Sequence, residues 1–589
     1  MSDMINIKIN GMDFAAPKGS TILEAARLAN ITIPTLCFLK EINAIGACRI
    51  CVVEANEGRG FRTVAACVYP ITEGMEIRTN TPAIIESRKK TLELILSNHD
   101  RKCLSCVRSK NCELQALAND LGIEFEGKYD GETQNYDIDY SAAHMYRDNN
   151  KCILCRRCVA VCEKTQGIGV IGANERGFKT HISSAFEMGL GDTSCVSCGQ
   201  CINVCPTGAL SEKDFTSEII AAIADPSKKV VVQTAPSVRA GLGECFGMPI
   251  GTNVEGKMVA ALRRLGFDCV FDTNFTADLT ILEEGTELIE RVKNGGKLPM
   301  ITSCSPGWVK YCEHYYPDCI DNLSSCKSPQ QMFGAVLKTY YAEKMGWDPK
   351  DIVSVSIMPC TAKKFEMGRD DQNAAGVADI DYAITTRELG RMIDRAGINF
   401  ADLPEEKFDD PLGIFSGAGL IFGATGGVME AALRFAVEEL TGEKLNGEKL
   451  DFKEVRGTEG VKEASYNVNG LEIKVAVASG LANAKKIMDK VRSGEADYTF
   501  VEIMACPGGC VNGGGQPIVP ASVRNFTDVR SLRAKALYDQ DAAMELRKSQ
   551  DNPAVKALYD EYLEKPGSHK AHEILHTSYV ARKINKDFD

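Results

Sequence analysis

Apolar and polar residues alternate at the start of the chain. Ile5, Ile7 and Ile9 are separated by polar residues, and Asn10-Gly11 then supplies a pair tolerant of positive φ, so the first segment predicts a β-hairpin. The period then changes. Thr21 and Glu24 form a capping box ahead of the apolar residues of ILEAARLANI, which predicts a helix. Residues 220–520 carry longer apolar runs. VVVQTAPSVRA begins as a buried strand, and CVFDTNFTADLTILEEGTELIERV passes from strand to helix. MITSCSPGW, SVSIMPC and VEIMACPGGCVNGGGQP each run from a strand into a special turn. This rhythm predicts α/β architecture with parallel strands, whose ligand groups sit at the strands' carboxyl ends, at a switch point. Cys304, Cys360 and the Cys506/Cys510 pair all follow apolar strands, so four distant segments are expected to converge on one site. From about residue 521 the tail reads as helical and charged.

Composition narrows the class. At 589 residues the chain is too long for one core, and several domains are expected. Apolar residues make up 44% and charged residues 25%, values of a soluble globular protein. The net charge of −12 argues against a nucleic-acid-binding surface. No run of about 18 apolar residues predicts a membrane span. MSDMINIKINGMDF has no signal-peptide h-region, so a cytoplasmic protein is expected.

Cysteine changes the picture most. There are 24, of which 15 lie between Cys37 and Cys205. In a large chain with no export signal, short-spaced cysteines point to metal rather than disulfides. Thiolates are soft ligands that suit zinc or iron–sulfur clusters. Cys37, Cys48, Cys51 and Cys67 place one CxxC pair between two outlying cysteines, a set able to wrap a [2Fe–2S] cluster, whereas a zinc site usually uses two close pairs. The spacing is not that of plant ferredoxins. His99, Cys103, Cys106 and Cys112 follow as H-x3-C-x2-C-x5-C, for which zinc and a cluster compete on spacing alone. Then C-x2-C-x2-C-x3-C occurs twice, at Cys152, Cys155, Cys158 and Cys162 and at Cys195, Cys198, Cys201 and Cys205, the latter closed by Pro206. This is the signature of bacterial two-cluster ferredoxins, in which the fourth cysteine of each run ligates the other cluster. Cys152, Cys155, Cys158 and Cys205 are therefore expected to hold one [4Fe–4S], and Cys195, Cys198, Cys201 and Cys162 the other. Four clusters in a row would make an electron wire.

The first two cysteine sets resemble the N-terminal domains of iron hydrogenases and of the large iron–sulfur subunit of respiratory complex I. That resemblance implies a third [4Fe–4S] at the second set, one iron on imidazole, which is neutral and should raise the potential. ITSCSPGW, IMPCTAKKFE and EIMACPGGCVNGGGQP are similar to the three signature motifs of [FeFe] hydrogenases, in the same order, and the resemblance spans essentially the whole chain. It implies an H-cluster, a [4Fe–4S] joined by one thiolate to a diiron unit with CO, CN⁻ and azadithiolate, and the reaction 2H⁺ + 2e⁻ ⇌ H₂. It implies an architecture mixing α+β and α/β. Residues 1–78 would form a β-grasp ferredoxin-like domain, 79–140 a His/Cys3 domain, and 141–215 a two-[4Fe–4S] ferredoxin domain. Residues 216–520 would form a two-lobed α/β H-cluster domain, and 521–589 a fused small-subunit-like helical tail that wraps it.

Residue by residue, the resemblance assigns Cys360, Cys506 and Cys510 as cluster ligands, with Cys510 bridging to the diiron unit. Lys363 would hydrogen-bond one cyanide, a cationic donor suited to an anionic ligand in a dry pocket. Ala235, Pro236 and Ser237 would meet the other cyanide. Gln330 would lie near the carbonyls, and Met358 and Met504 would form walls. The glycines of PGGCVNGGGQP let backbone press close to a bulky group. Cys304 matches the proton donor, with a relay onward through Glu284, Ser324, Glu287 and Arg291, of which the two glutamates and the arginine share one helix face. Cysteine and glutamate both exchange protons near neutral pH once burial shifts them.

Ser305 departs from the pattern. The usual motif has a second cysteine there, the fourth ligand of the cubane. Three readings stay open: Ser305 ligates as alkoxide, Cys304 swings in as ligand, or the cubane has three protein ligands. Serine's far higher pKa makes it the poorer ligand. The glycine-rich SGAGLIFGATGG (416–427) lacks GxGxxG spacing, so close packing is expected there rather than a dinucleotide loop. His569, His572 and His576, and Cys245, Cys269, Cys312, Cys319 and Cys326, belong to no motif and read as structural. Three alternatives are weaker. Assembly-factor relatives lack the full diiron pocket, sensors often lose the relay cysteine, and a complex I subunit fits only about residues 1–210. Implied partners are ferredoxin or flavin-containing NAD(P)-linked subunits, with maturation proteins to install the diiron unit.

Overall fold

The computed structural model describes residues 3–124, 129 and 131–585. The expected hairpin is formed by β1 (Met4–Ile9) and β2 (Met12–Pro17), with Asn10 and Gly11 both at positive φ. Thr21 and Glu24 make both reciprocal bonds of the capping box at the start of α1 (Ile22–Leu28). With β3 (Val52–Asn56), β4 (Arg62–Ala65) and β5 (Glu76–Arg78) the strands form one sheet ordered β2-β1-β5-β3-β4. Its core of Ile7, Ile9, Ile22 and Val53 also buries Cys51 and Cys67, which flank β3 and β4. Helix α2 (Pro82–Ser97) follows, tied back where Arg88 donates to the Val52 carbonyl at 2.7 Å, and delivers the chain to His99.

The duplicated cysteine runs are duplicated in backbone conformation too. The residues two and four places after each first cysteine, Leu154 and Arg156 in one run and Ser197 and Gly199 in the other, all have positive φ. Three of these four are not glycine, so the conformation is imposed by the wrap rather than by residue preference. It turns backbone N–H groups toward sulfur, as where Leu154 N donates to Cys152 Sγ at 3.4 Å. Met145–Arg147 pairs antiparallel with Leu210–Glu212 and closes this unit.

Two four-stranded sheets follow. In the first, β6 (Lys229–Thr234), β7 (Cys269–Asp272), β9 (Ile352–Met358) and β10 (Tyr382–Thr385) are all parallel, in the order β7-β6-β9-β10. In the second, β8 (Met300–Ile301), β11 (Val461–Val468), β12 (Leu471–Ser479) and β13 (Phe500–Met504) are ordered β8-β13-β12-β11, with only the β11–β12 edge antiparallel. Helix α3 (Thr273–Asn294) springs directly from β7, capped by the Asp272 side chain and ended by Gly295 in the left-handed region. Its first half is buried, in a core with Phe271, Phe333, Met332 and Phe435. Cys360 therefore leaves the carboxyl end of a strand in one lobe. Cys304 and Cys506 leave the carboxyl ends of the adjacent β8 and β13 in the other.

The segment 416–427 packs as expected of its glycines. A Cβ at Gly426 would stand 1.8 Å from the Val455 carbonyl, and one at Gly427 1.8 Å from that of Ile421. The tail is helical over Val529–Ala543, Pro553–Leu558 and His569–Leu575, and it packs against the lobes. Buried Arg434 forks onto Asp541, and Tyr559 donates to Glu283 at 2.5 Å. Because Gly426 combines φ +89 with a backbone clash, Gly426→Ala is expected to destabilise the fold by about 2–4 kcal/mol, read as a lower thermal midpoint.

Candidate functional site

Neighbouring cysteines interact within the accessory sets. Cys37 hydrogen-bonds Cys48 and Cys67, and Cys51 hydrogen-bonds Cys67, which pulls Cys37 far down and pushes Cys67 far up. Burial raises Cys112, with Cys106 adding to it, and burial lowers His99, whose Nδ1 is buried without a hydrogen-bond partner. In the duplicated runs the fourth cysteines cross over. Burial first, and then Cys205 among its neighbours, raises each of Cys152, Cys155 and Cys158, while Cys162 faces Cys195 and Cys201. Cys162, Cys195, Cys198 and Cys201 line an apolar cavity beside His144, both of whose ring nitrogens are buried and unpartnered. Converging thiols around a cavity, with unmatched imidazole nitrogens at its edge, fit an iron–sulfur cluster.

The sets are not strung in series, and the expectation of a row is corrected by the junctions. The Asn43 amide donates both to the Cys37 carbonyl at 2.8 Å and to the Cys155 carbonyl at 3.0 Å. Arg108 donates to the Cys205 carbonyl at 2.9 Å, and a Cβ on Gly208 would stand 2.7 Å from Cys106 Sγ. Both N-terminal sets thus abut the Cys152/Cys155/Cys158/Cys205 group. The second group abuts the late motifs: Cys198 and Cys506 are near enough for Cys506 to raise Cys198, after burial. A Cβ on Gly514 would lie 2.2 Å from the Cys198 carbonyl, and one on Gly199 would lie 2.3 Å from Thr361 Oγ1. Gln200 donates to the Asn512 carbonyl and Asn203 to that of Gly513, each at 2.9 Å. Buried Arg387 reaches Asn203, the Gly514 and Gln516 carbonyls, and Glu212 at 2.7 Å.

The late motifs converge between the lobes. Burial raises Cys360, Cys506 and Cys510, the last to about 12, and Cys360 adds to the rise of the other two. Cys304 is pushed well up by burial, then by Glu284 and Cys510. Lys363 is buried, and its ammonium donates to Glu366 at 2.8 Å and to the Cys304 carbonyl at 3.2 Å. Gln330 is clamped by Ser356 at 2.8 Å and Glu366 at 3.1 Å. Met358 and Met504 are buried at the ends of β9 and β13. Ala235, Pro236 and Ser237 are buried, with Ser237 Oγ on the Gly423 carbonyl at 3.1 Å and its own carbonyl taking Gln516 at 2.8 Å. Gly508 and Gly509 have φ of +84 and +90, and a Cβ at Gly513 would lie 2.1 Å from the Pro359 carbonyl. This is a backbone cradle with thiols at its floor, which fits a cluster too bulky for side chains to surround. Ser305 opens helix α4 (Pro306–Tyr315) and accepts from the Ala505 N–H at 3.2 Å, one residue before Cys506.

From Cys304 a line of groups leads outward. Glu284 is 1% exposed, and neither carboxylate oxygen has a partner within hydrogen-bond distance. Burial and then Glu287 push it to about 8, with the Ser324 hydroxyl near enough to draw it partly back. Ser324 donates to Glu287 at 3.1 Å, and Glu287 meets Arg291 at 2.5 Å. Both members of that last pair are partly exposed.

Outside the motifs, Cys312, Cys319 and Cys326 are buried and Cys269 half-buried, and Cys245, in an exposed residue, turns its sulfur onto Gly390, where burial pushes the thiol up to about 11. His569 is exposed, whereas His576 is half-buried and bound to Glu283 and Ser325, acids and hydroxyls that sequence separation hid. Asn43 and Arg387 lie outside every motif, and Glu366 and Gln200 lie inside motifs that give them no role. Only their junction partners reveal them.

Known proteins match this organisation along the chain. Residues 228–514 match the iron only hydrogenase large subunit, C-terminal domain, and 527–582 the iron hydrogenase small subunit. Residues 2–82 match a 2Fe-2S iron-sulfur cluster binding domain, 88–126 the NADH-ubiquinone oxidoreductase-G iron-sulfur binding region, and 151–209 a 4Fe-4S dicluster domain. The chain is 49% identical to NADP-reducing hydrogenase subunit HndD of Solidesulfovibrio fructosivorans, over 98% of this chain and 99% of that one. The chain belongs to the iron-only, or [FeFe], hydrogenase family. Iron hydrogenase 1 of Clostridium pasteurianum is 46% identical over 98% of this hydrogenase and 100% of its own length. The solved structure of a variant of apo [FeFe]-hydrogenase HydA1 from Chlamydomonas reinhardtii superposes with TM-score 0.56 at 45% identity, over 63% of this chain and 100% of that one. Protein NAR1 of Arabidopsis thaliana is more distant, 33% identical over 65% of this chain and 84% of its own length.

Arg387 is expected to be the strongest single tie between the dicluster unit and the hydrogenase domain. Arg387→Met leaves buried Glu212 with Arg391 alone at 3.0 Å and unties Asn203 and the Gly514 and Gln516 carbonyls, which should cost about 3 kcal/mol, read as a lower thermal midpoint.

Proposed function

We propose that this chain catalyses 2H⁺ + 2e⁻ ⇌ H₂ at an H-cluster held by Cys360, Cys506 and Cys510, with Cys510 as the thiolate shared with the diiron unit. The observation that carries this reading is the convergence of those three thiols with Cys304, Lys363 and unpartnered Glu284 in one glycine-walled site between the lobes. When bound, the cluster supplies the metal centre at which protons and electrons combine. Lys363, held by Glu366, offers a fixed cation to an anionic ligand, and Ala235, Pro236 and Ser237 present a second polar edge. Gln330, Met358 and Met504 shape the wall around it.

Protons reach Cys304 from Glu284. A carboxyl raised to about 8 is protonated at neutral pH and can both give and regain a proton there. Ser324, Glu287 and Arg291 continue the path to solvent. Electrons arrive through one [2Fe–2S] and three [4Fe–4S] clusters on the four accessory sets. The Cys198–Cys506 approach is the last step. The full-length similarity to an NADP-reducing hydrogenase subunit supports a flavin-containing, NAD(P)-linked complex as partner, and ferredoxin is the other donor these sets would serve.

The Ser305 position favours one of its three readings. Cys304 lies with Glu284 and Cys510, whereas Cys506 faces Cys360 and Cys510. The neighbourhood of Glu284 supports Cys304 as a relay member. Ser305 Oγ, which accepts from the Ala505 N–H beside Cys506, is then the group that would serve as the fourth ligand of the cubane.

After maturation the protein is expected to evolve H₂ from reduced viologen, and no turnover at full diiron occupancy would overturn the reading. Glu284→Gln should cut turnover by at least about 100-fold while leaving the accessory-cluster resonance signals intact. As pH rises through about 8, Glu284 ionises beside Glu287 and H₂ evolution should fall with an inflection there. Ser305→Cys is expected to change the paramagnetic resonance of the H-cluster, and an identical spectrum would remove Ser305 from the ligand set. Purification bringing along flavin-containing subunits would decide for the NAD(P)-linked complex.

A further inference from the structure

Two donors with no part in the reaction as described, Cys326 and His576, approach the relay member Glu287. Glu287, Cys326 and His576 each present one ligand atom, and the three atoms lie within 4.8 Å of one another. They come from helix α3, from the loop after Ser324 and from the C-terminal tail. Cys326 and His576 are joined by an antiparallel bridge.

The Glu287 carboxylate is held by Arg291, by the Ser324 hydroxyl at 3.1 Å and by the Ser325 N–H, which reaches Oε2 at 3.1 Å. Oε1 pairs with Arg291 at 2.5 Å, and Oε2 faces inward, 3.8 Å from Cys326 Sγ and 3.2 Å from Ser325 Oγ. Ser325 Oγ is in turn 2.8 Å from His576 Nδ1. The far nitrogen, Nε2, sits 3.1 Å from Glu283. Tyr559 and the Gly567 N–H hold that carboxylate in place. A fixed carboxylate behind an imidazole sets its tautomer and aims the other nitrogen, the arrangement that supports a metal-ligating histidine. One carboxylate, one thiolate and one imidazole form a donor set that suits zinc, with Ser325 Oγ or water left for the fourth position.

We propose that Glu287, Cys326 and His576 form a zinc site that, when filled, stops proton transfer through Glu287. Binding exchanges the Cys326 thiol proton for the metal and releases that proton to water, with no change of oxidation state. Cys326 is buried, but Glu287 and His576 are partly exposed, so the ion enters from the solvent end of the relay. The inhibitory half of this proposal rests on the relay reading above. The binding half does not.

The test uses the matured enzyme incubated with zinc sulfate and desalted. Zinc per chain, zinc-edge X-ray absorption and H₂ evolution are measured on the same sample. One added zinc per chain is expected, with one sulfur among light-atom ligands and a loss of H₂ evolution of at least about 100-fold that a chelator reverses. Cys326→Ala and, separately, His576→Gln should retain the accessory-cluster signals, lose the added zinc and evolve H₂ whether or not zinc is present. Equal zinc uptake by the parent and both variants would overturn the site. Zinc bound with sulfur in the parent, lost in both variants, yet without effect on H₂ evolution, would uphold the site and overturn proton passage through Glu287. Inhibition that persists in both variants would place the blockage elsewhere and overturn the proposal.

Discussion

The constraint on which the rest of the molecule depends is the approach of two backbones, Cys198–Gly199 against Gly513–Gly515. Electron transfer between buried centres needs them near, and no side chain can be allowed between the loops that carry them. Gly199 and Gly514 lack the atoms that would hold the loops apart, and Thr361, Gln200 and Asn203 close the seam with hydrogen bonds. Arg387 then spans both sides of that seam and neutralises Glu212 within it. The placement of the dicluster unit, and of the two N-terminal sets that lean on it, follows from this one contact.

Burial is the second organising force, and it acts with opposite signs on the two sides of the site. Lys363 is buried in an ion pair with Glu366, 2.8 Å away. Glu284 has no such partner and answers burial by holding its proton. A fixed cation and a neutral acid a short way apart need no conformational change to do different chemistry. Both states are set by what surrounds them before any substrate arrives.

Much of this was legible in the sequence, and the remainder was hidden for physical reasons. Hairpin, capping box, parallel strands and helix α3 follow from periodicities of two and 3.6 and from local hydrogen bonding. The cysteine runs are local as well, because most of their members stand only two or three residues apart along the chain. Junction residues are not. Asn43 finds Cys155 across more than a hundred residues, and His576 finds Glu283 from the other end of the chain. Their type says nothing until the fold brings the partner. The left-handed Leu154, Arg156 and Ser197 were equally hidden, since nothing in a leucine or arginine announces positive φ. Spacing alone also made a row of what the structure makes a fork.

That fork changes how the N-terminal third behaves as a circuit. Asn43 and Arg108 bring two separate arms to one pair of carbonyls, those of Cys155 and Cys205. Conductors joined in series fail together, whereas two inlets joined at a node fail one at a time. On the cluster assignment proposed here, current from donors of unequal potential is summed at that node before it passes to Cys198. Whatever lies downstream of the node is then shared, while the two arms above it stay separate.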